Sequence, residues 1–333
     1  MKNKRVAFAA AYAVALTGFT VWLALDTFVI PHAYEMVQPV AAARAETTAV
    51  PTASPIAAPT AAASASSRRT KLSGRKKSQP TAAPQPEDPG ELTNVAQTYD
   101  DGQTRISLMR YRVGNTTVYV ADVTLSSPEA LSSVLANDTY GRNVTEAPSS
   151  MAERSGAVLA VNGDYYGARQ KGYVIRNGVL YRDTAAKDQQ DLVIDENGDF
   201  SITRESEVSA ETLLAEGAQQ VLSFGPGLVA EGEILVTEAD EVGQAKTSNP
   251  RTALAQVGPL HYLFAVADGR TAESAGLSLY ELARFLQSLG AETAYNLDGG
   301  GSSVMVFNGQ IVNTPTSGGR SSERRVSDIV AIF

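Results

Sequence analysis

The chain has 333 residues, with 28 Lys plus Arg against 36 Asp plus Glu and no cysteine, so disulfide staples and thiol chemistry are excluded. Charge is segregated: residues 87–333 carry 33 acidic and 18 basic side chains, net −15, whereas the first 86 residues carry 10 basic and 3 acidic, net +7. A C-terminal portion this acidic argues against nucleic-acid binding, which needs a basic face, and it is long enough to bury one large core unaided.

In chain order, Lys2, Lys4 and Arg5 form a short basic tail (residues 1–5) before an apolar run at 6–30 whose one charge is Asp26. That run is long enough to cross the ~30 Å hydrocarbon core as a transmembrane helix. It exceeds the usual signal-peptide core, and the nearest Ala-x-Ala site (Ala43-Arg44-Ala45) lies well beyond it. An uncleaved signal anchor follows, with the basic end cytoplasmic and the rest extracytoplasmic at the cell membrane. Residues 31–98 are rich in Ala, Pro, Ser and Thr, with a basic cluster at Arg68, Arg69, Lys71, Arg75, Lys76 and Lys77. Such a segment buries too little to offset its ordering entropy and reads as a disordered linker.

The folded domain is expected over 99–333. TRISLMRYRV and TTVYVADVTL flank Gly114-Asn115 as a hairpin, and SPEALSSVLAN (127–137) reads as a short helix with Pro128 early in it. AVLAVNGDYYG runs from a strand into a polar, aromatic turn. YVIRNGVLYRD and DLVIDENGDFSI are hairpins turning at Asn177-Gly178 and Asn197-Gly198. SAETLLAEG is a brief helix, and VLSFGPGLVAEGEIL is strand, loop and strand. The clearest local signal is LSLYELARFLQSLG. Ser278 and Glu281 have capping-box spacing, Leu279, Leu282, Leu286 and Leu289 share a face, and Gly290 stands at the C-cap. With HYLFAVADGR before it and ETAYNLD after it, this is one crossover unit in a largely antiparallel sheet. The fold class is α+β: a single domain with a mixed sheet and flanking helices.

Polar clusters end the apolar strands: Asn162-Gly163-Asp164, Asn249-Pro250-Arg251, Asp268-Gly269-Arg270 and Asn296-Leu297-Asp298, the last running into Gly299-Gly300-Gly301. Open sheets bind ligands at strand ends. The domain has no cysteine and one histidine, His261, which argues against a zinc site. GGGSSV has no P-loop lysine, no G-x-S-x-G elbow exists, and Ser302 or Ser303 would need His261 as base. What remains is carboxylate chemistry with arginine and glycine-rich anion contacts, a hydrolase acting on a sugar or a phosphoester.

Together, VNGDYYG, NPRTALA, VADGR, GLSLYELARFLQSLGAETAYNLDGGGSSVMV and ERRVSDIVAIF resemble the phosphodiester glycosidase family (N-acetylglucosamine-1-phosphodiester α-N-acetylglucosaminidase-like domains). The resemblance spans roughly residues 100–333. It implies hydrolysis of a sugar-1-phosphodiester, in a wall polymer or exopolysaccharide, to free sugar and a phosphomonoester. By motif match it implies Asp298 as acid or nucleophile, Asp268 or Glu323 as partner carboxylate, and Arg251 and Arg324 on the phosphate. Asn162, Asp164, Arg270, Asn296, Gly299, Gly300, Gly301 and Ser302 would complete the cleft, with Arg169 and Lys171 in a loop beside it. The carboxylates are of a type that holds Ca²⁺ or Mg²⁺, but no ligand spacing specifies a metal site, and no other cofactor is implied. Two other readings stand beside the enzyme: a non-catalytic carbohydrate-binding module in the same cleft, and a structural envelope protein whose turns only shape the sheet.

Overall fold

In the computed structural model, the described residues are 2–34, 90–240 and 248–333, with the side chains of the first helix described from Tyr12 onward. The basic cluster and most of the linker expected over 31–98 lie outside them. The ordered sheet starts before residue 99, because Glu91–Asp100 pairs with Thr104–Val113 as an edge strand.

Three antiparallel sheets build the domain, where the sequence suggested one mixed sheet. The largest has eight strands in the order Glu233–Ile234, Gly227–Ala230, Thr293–Asn296, Arg251–Gly258, His261–Ala267, Thr116–Leu125, Thr104–Val113, Glu91–Asp100. A second has five: Gln310–Ile311, Met305–Phe307, Leu159–Asn162, Asp328–Ile332, Leu131–Leu135. A third has five: Phe200–Arg204, Gln190–Ile194, Gln220–Leu222, Val174–Arg176, Val179–Arg182. Every pairing among the described strands is antiparallel. The expected hairpins at Gly114-Asn115, Asn177-Gly178 and Asn197-Gly198 are present.

Period-two alternation explains how the layers meet. One side of the large sheet sends Leu108, Val123, Leu254, Phe264 and Val266 into a core shared with Val161, Met305 and Val330 of the second sheet and Leu192, Ile194 and Leu222 of the third. Each sheet's other face is covered by a helix, numbered here after the N-terminal helix α1 (Lys2–Phe28). Helix α2 (Pro148–Ser155) covers the second sheet, α3 (Ala210–Ala215) the third, and α4 (Leu279–Ser288) the large sheet. Central strand Arg251–Gly258 is therefore covered on both faces, which is why TALA reads as a continuous apolar run.

Helix α4 forms as its sequence predicts. Glu281 N–H donates to Ser278 Oγ at 3.1 Å and Ser278 N–H to Glu281 Oε2 at 2.8 Å. Gly290 ends the helix at φ +91°. The crossover carries the chain from His261–Ala267 to Thr293–Asn296, on either side of Arg251–Gly258. The helix expected over 127–137 is not formed. Pro128–Ala130 and Ala136–Asp138 make single 3₁₀ turns, and Leu131–Leu135 between them pairs with Asp328–Ile332 instead. So short a helix is marginal on its own, and the ladder satisfies the same backbone groups while burying Leu131 and Ser133.

Helix α1 carries the N-terminal apolar run. Its end is tied to the domain, with Asp26 Oδ2 3.4 Å from Arg142 Nη2 and Asp26 Oδ1 3.2 Å from His32 Nε2. Among the described residues no helix is long and apolar enough to cross a membrane. Leu16, Phe19, Trp22 and Leu23 on α1 are exposed.

Leu282 is fully buried between α4 and the large sheet. Leu282→Ala is expected to destabilise the domain by about 2–5 kcal/mol, read as a lower urea midpoint with an unchanged m-value.

Candidate active site

Register brings the polar clusters to one end of the large sheet. Asn296 stands opposite Ala253, and Arg251 opposite Ala267. Asp298 and Asp268 thus leave strands that flank Arg251, with backbones about 9–10 Å apart across the intervening strand. Asn162, at the end of its strand in the second sheet, ties the layers together. Its Nδ2 donates to Asp298 O at 2.6 Å, and its Oδ1 accepts from Thr252 Oγ1 at 2.8 Å and Val304 N–H at 3.3 Å. Asn162 is fully buried, so it positions Asp298 from beneath and does not face a ligand.

Asp298 lies nearly buried where these strand ends meet. Burial pushes its carboxyl above the ordinary 3.8, and the Ser302 hydroxyl and Arg324 guanidinium oppose that rise. Arg324 Nη2 reaches Asp298 Oδ2 at 2.9 Å, while Arg324 Nε donates to Ser302 Oγ at 2.8 Å. The Arg324 side chain remains 42 % exposed, leaving donors for an incoming anion.

Gly299 is demanded by close approach to backbone, and Gly300 by its own backbone conformation. A Cβ on Gly299 would stand 2.8 Å from Pro250 O, and one on Gly300 2.8 Å from Arg270 Nη2; Gly300 also has φ +61°. A Cβ on Gly301 would meet Ser317 Oγ at 3.1 Å. Arg270, itself at φ +63°, is exposed and held by Asn249 Oδ1, 3.1 Å from its Nη2. The Gly299–Gly301 turn thus lies beneath a second guanidinium.

The other expected residues are placed differently. Asp268 is buried, its Oδ1 accepting from Thr314 N–H at 2.9 Å and Asn313 Nδ2 at 3.2 Å, and burial pushes its carboxyl up. Glu323 lies at the start of α2, where Ser149 N–H and Oγ both donate to it; its described contacts do not include Asp298. Arg251 is buried, with Nε on Leu277 O at 2.9 Å. Asn296 donates to Gly225 O at 2.8 Å, and its buried Oδ1 has no hydrogen-bond partner among the described residues. Arg169 lies over the Phe224 ring and donates to Ser223 O, and Lys171 is exposed. His261 bonds Asp122 at the far end of its strand, about 20 Å along the chain from Asp268, so it cannot serve Ser302 as a base. Among the described residues no three His, Asp or Glu side chains converge as a cation site.

Asp164, expected to contact substrate, is fully buried. Arg176 Nη2 lies 2.7 Å from Asp164 Oδ2, and Arg176 Nε donates to Asp328 Oδ2 at 2.8 Å. Asp164 also accepts from Ser223 N–H and Tyr166 N–H. Arg176 and Asp328 were missed in the sequence. Each breaks an otherwise apolar strand, YVIR and DIVAI, and a charge in such a strand signals a buried pair.

A further buried carboxyl group, Asp191, lies near this triad. Asp191 makes no hydrogen bond among the described residues, and burial beside Glu205 pushes it up to about 9.

Fold and cleft define an α+β domain with a guanidinium-bracketed carboxylate at converging strand ends. The family model for phosphodiester glycosidases matches residues 155–333, and the chain belongs to the phosphodiester glycosidase family. It is 30% identical over 200 residues to the SPbeta prophage-derived uncharacterized protein YomE of Bacillus subtilis (strain 168), covering 58% of this chain and 30% of that protein. It is 28% identical over 192 residues to Homo sapiens N-acetylglucosamine-1-phosphodiester alpha-N-acetylglucosaminidase, covering 48% of this chain and 37% of the relative. The chain thus spans about a third of the length of these curated relatives. Among solved structures, the pro-peptide-inhibited catalytic domain of the zebrafish N-acetylglucosaminidase of that name aligns at TM-score 0.55 and 20% identity, over 72% of this chain and 86% of that one. A hypothetical protein from Synechocystis aligns at TM-score 0.53 and 17% identity, over 69% and 62%. At such identities the likeness is one of fold.

The Asp191 carboxyl binds a proton in the fold that the unfolded chain, near 3.8, has released. Stability therefore falls as pH rises from about 4 towards 9. Asp191→Asn is expected to flatten melting temperature between pH 5 and 8 and to raise it at pH 8, as read by thermal melts.

Proposed function

We propose that the chain is an extracytoplasmic hydrolase of glycosyl 1-phosphodiesters in envelope or exopolysaccharide glycans. One observation carries the reading: a buried carboxylate, Asp298, bracketed by Arg324 and Ser302 beside a glycine turn under Arg270. Family membership supports the reaction class. Hydrolysis breaks the bond from sugar C1 to the bridging phosphate oxygen. That oxygen keeps the electron pair and leaves as a phosphomonoester, and water supplies the hydroxyl at C1. A phosphomonoester, with its second pKa near ~6, departs without a strong general acid. The demand therefore falls on the attacking side, which ionised Asp298 meets as nucleophile or as base for water.

Arg324 and Arg270 suit the diester phosphate, and the glycines let the sugar approach the backbone. Asp268 has its Oδ1 engaged by Asn313 and Thr314 and is given no step in this reaction. Anchorage by the N-terminal helix is supported by Lys2, Lys4 and Arg5 before the apolar run, and by the exposed apolar side chains on α1.

Asp298→Asn is expected to lower kcat on a glycosyl 1-phosphodiester by about 10²–10⁴-fold with the melting temperature retained. The wild-type acidic limb should lie above the ordinary carboxylate value, because burial raises this group. Full activity in Asp298→Asn sinks the reading.

A further inference from the structure

In the buried segment 159–167, Tyr165 is the one exposed side chain, at 43 %. Its backbone sits at φ +69°, a conformation that a bulky side chain adopts only when its surroundings impose it. Those surroundings are rigid. Tyr166 N–H donates to Asp164 Oδ1, and Asp164 is locked to Arg176. The Tyr166 ring is buried against Tyr140, with its hydroxyl donating to Ser327 O. A side chain wanted only for packing would not be held in a strained turn with its ring in solvent. The ring's position supplies a reason: the Arg324 guanidinium lies 5.8 Å from its centroid, and the same guanidinium holds Asp298.

We propose that Tyr165 is the stacking platform for the sugar ring of the substrate, an inference that rests on the reading under Proposed function. A pyranose presents a face of C–H groups carrying slight positive charge, which matches the negative face of an aromatic ring. With the phosphate on Arg324 and C1 at Asp298, the sugar ring is brought to the Tyr165 face. Stacking is common to ground and transition states, so it acts mainly on KM. The phenol hydroxyl is not required.

The test compares wild type, Tyr165→Ala, Tyr165→Phe and Tyr165→Gly. Turnover is measured on the methyl phosphodiester of N-acetylglucosamine 1-phosphate. Calorimetric binding is measured for N-acetylglucosamine, glucose, mannose and, as a sugar-free probe, dimethyl phosphate. Tyr165→Ala is expected to raise KM and weaken sugar binding by about 2- to 12-fold, the scale of one aromatic stacking contact. kcat should stay within about 3-fold and dimethyl phosphate binding should not change, and Tyr165→Phe should match wild type. Tyr165→Gly, which the left-handed backbone accepts, is expected to lose sugar binding as alanine does while melting no lower than wild type. Unchanged sugar binding in both ring-less variants overturns the platform. So does equal weakening for dimethyl phosphate, which would mean that Tyr165 only steadies Arg324, and so does a wild type that binds none of the three sugars. If wild type binds sugar through Tyr165 but hydrolyses no diester, the platform stands and the hydrolase reading falls.

Discussion

The cleft depends on one buried interaction, the Arg176 guanidinium held between Asp164 and Asp328. All three side chains are essentially inaccessible to water, and two carboxylates around one guanidinium carry more negative charge than it cancels. Burial and the Asp164 charge accordingly push the Asp328 carboxyl up. Such an arrangement is weak evidence for stability but a strong constraint on geometry, because removing one partner strands the others in a dry environment. Here it joins strand Val174–Arg176 of the third sheet to the ends of Leu159–Asn162 and Asp328–Ile332 in the second. Layers that hydrophobic packing alone would let slide are fixed in register.

That register reaches Asp298 through the backbone. Gly163 O accepts from Asp298 N–H, and Gly163 N–H donates to Asp328 O. A Cβ on Gly163 would fall 2.1 Å from Asp328 Oδ1, so only glycine lets the turn pass between the triad and the strand end that carries Asp298. Asn162 completes the link by donating to Asp298 O. The motif VNGDYYG therefore acts chiefly from below: Asn162, Gly163 and Asp164 are buried under Asp298, and Tyr165 is exposed beside Arg324.

The difference between what the sequence foretold and what the structure holds follows from the range of each interaction. Capping at Ser278 and Glu281, the Asn-Gly hairpins and the convergence of polar strand ends are local or register-set signals, and they were legible. Division into three sheets was not, because it depends on which apolar face meets which across many residues of chain. Leu131–Leu135 went to strand because a distant partner, Asp328–Ile332, outbid a short helix. Motif position reveals that a carboxylate is needed at Asp164, not which way it faces, because its partner Arg176 sits in another hairpin. The Arg324–Asp298 pairing was anticipated only as shared membership of a cleft, and the bracket through Ser302 is a matter of geometry.

Glu323 and Arg324 show how neighbouring residues divide such labour. In an extended segment, successive side chains point to opposite sides. Glu323 turns to the start of α2, where Ser149 donates from its backbone and hydroxyl, and where the helix end favours negative charge. Arg324 turns the other way, to Asp298 and Ser302. With Val326 paired to Glu146 just beyond, the segment is pinned on both sides of the arginine. Arg324 is long, flexible and 42 % exposed, and a free chain of that kind loses much rotamer entropy on ordering. Tethering its neighbours lowers that cost, and Glu323, held at the start of α2, fixes where the guanidinium begins its reach towards Asp298.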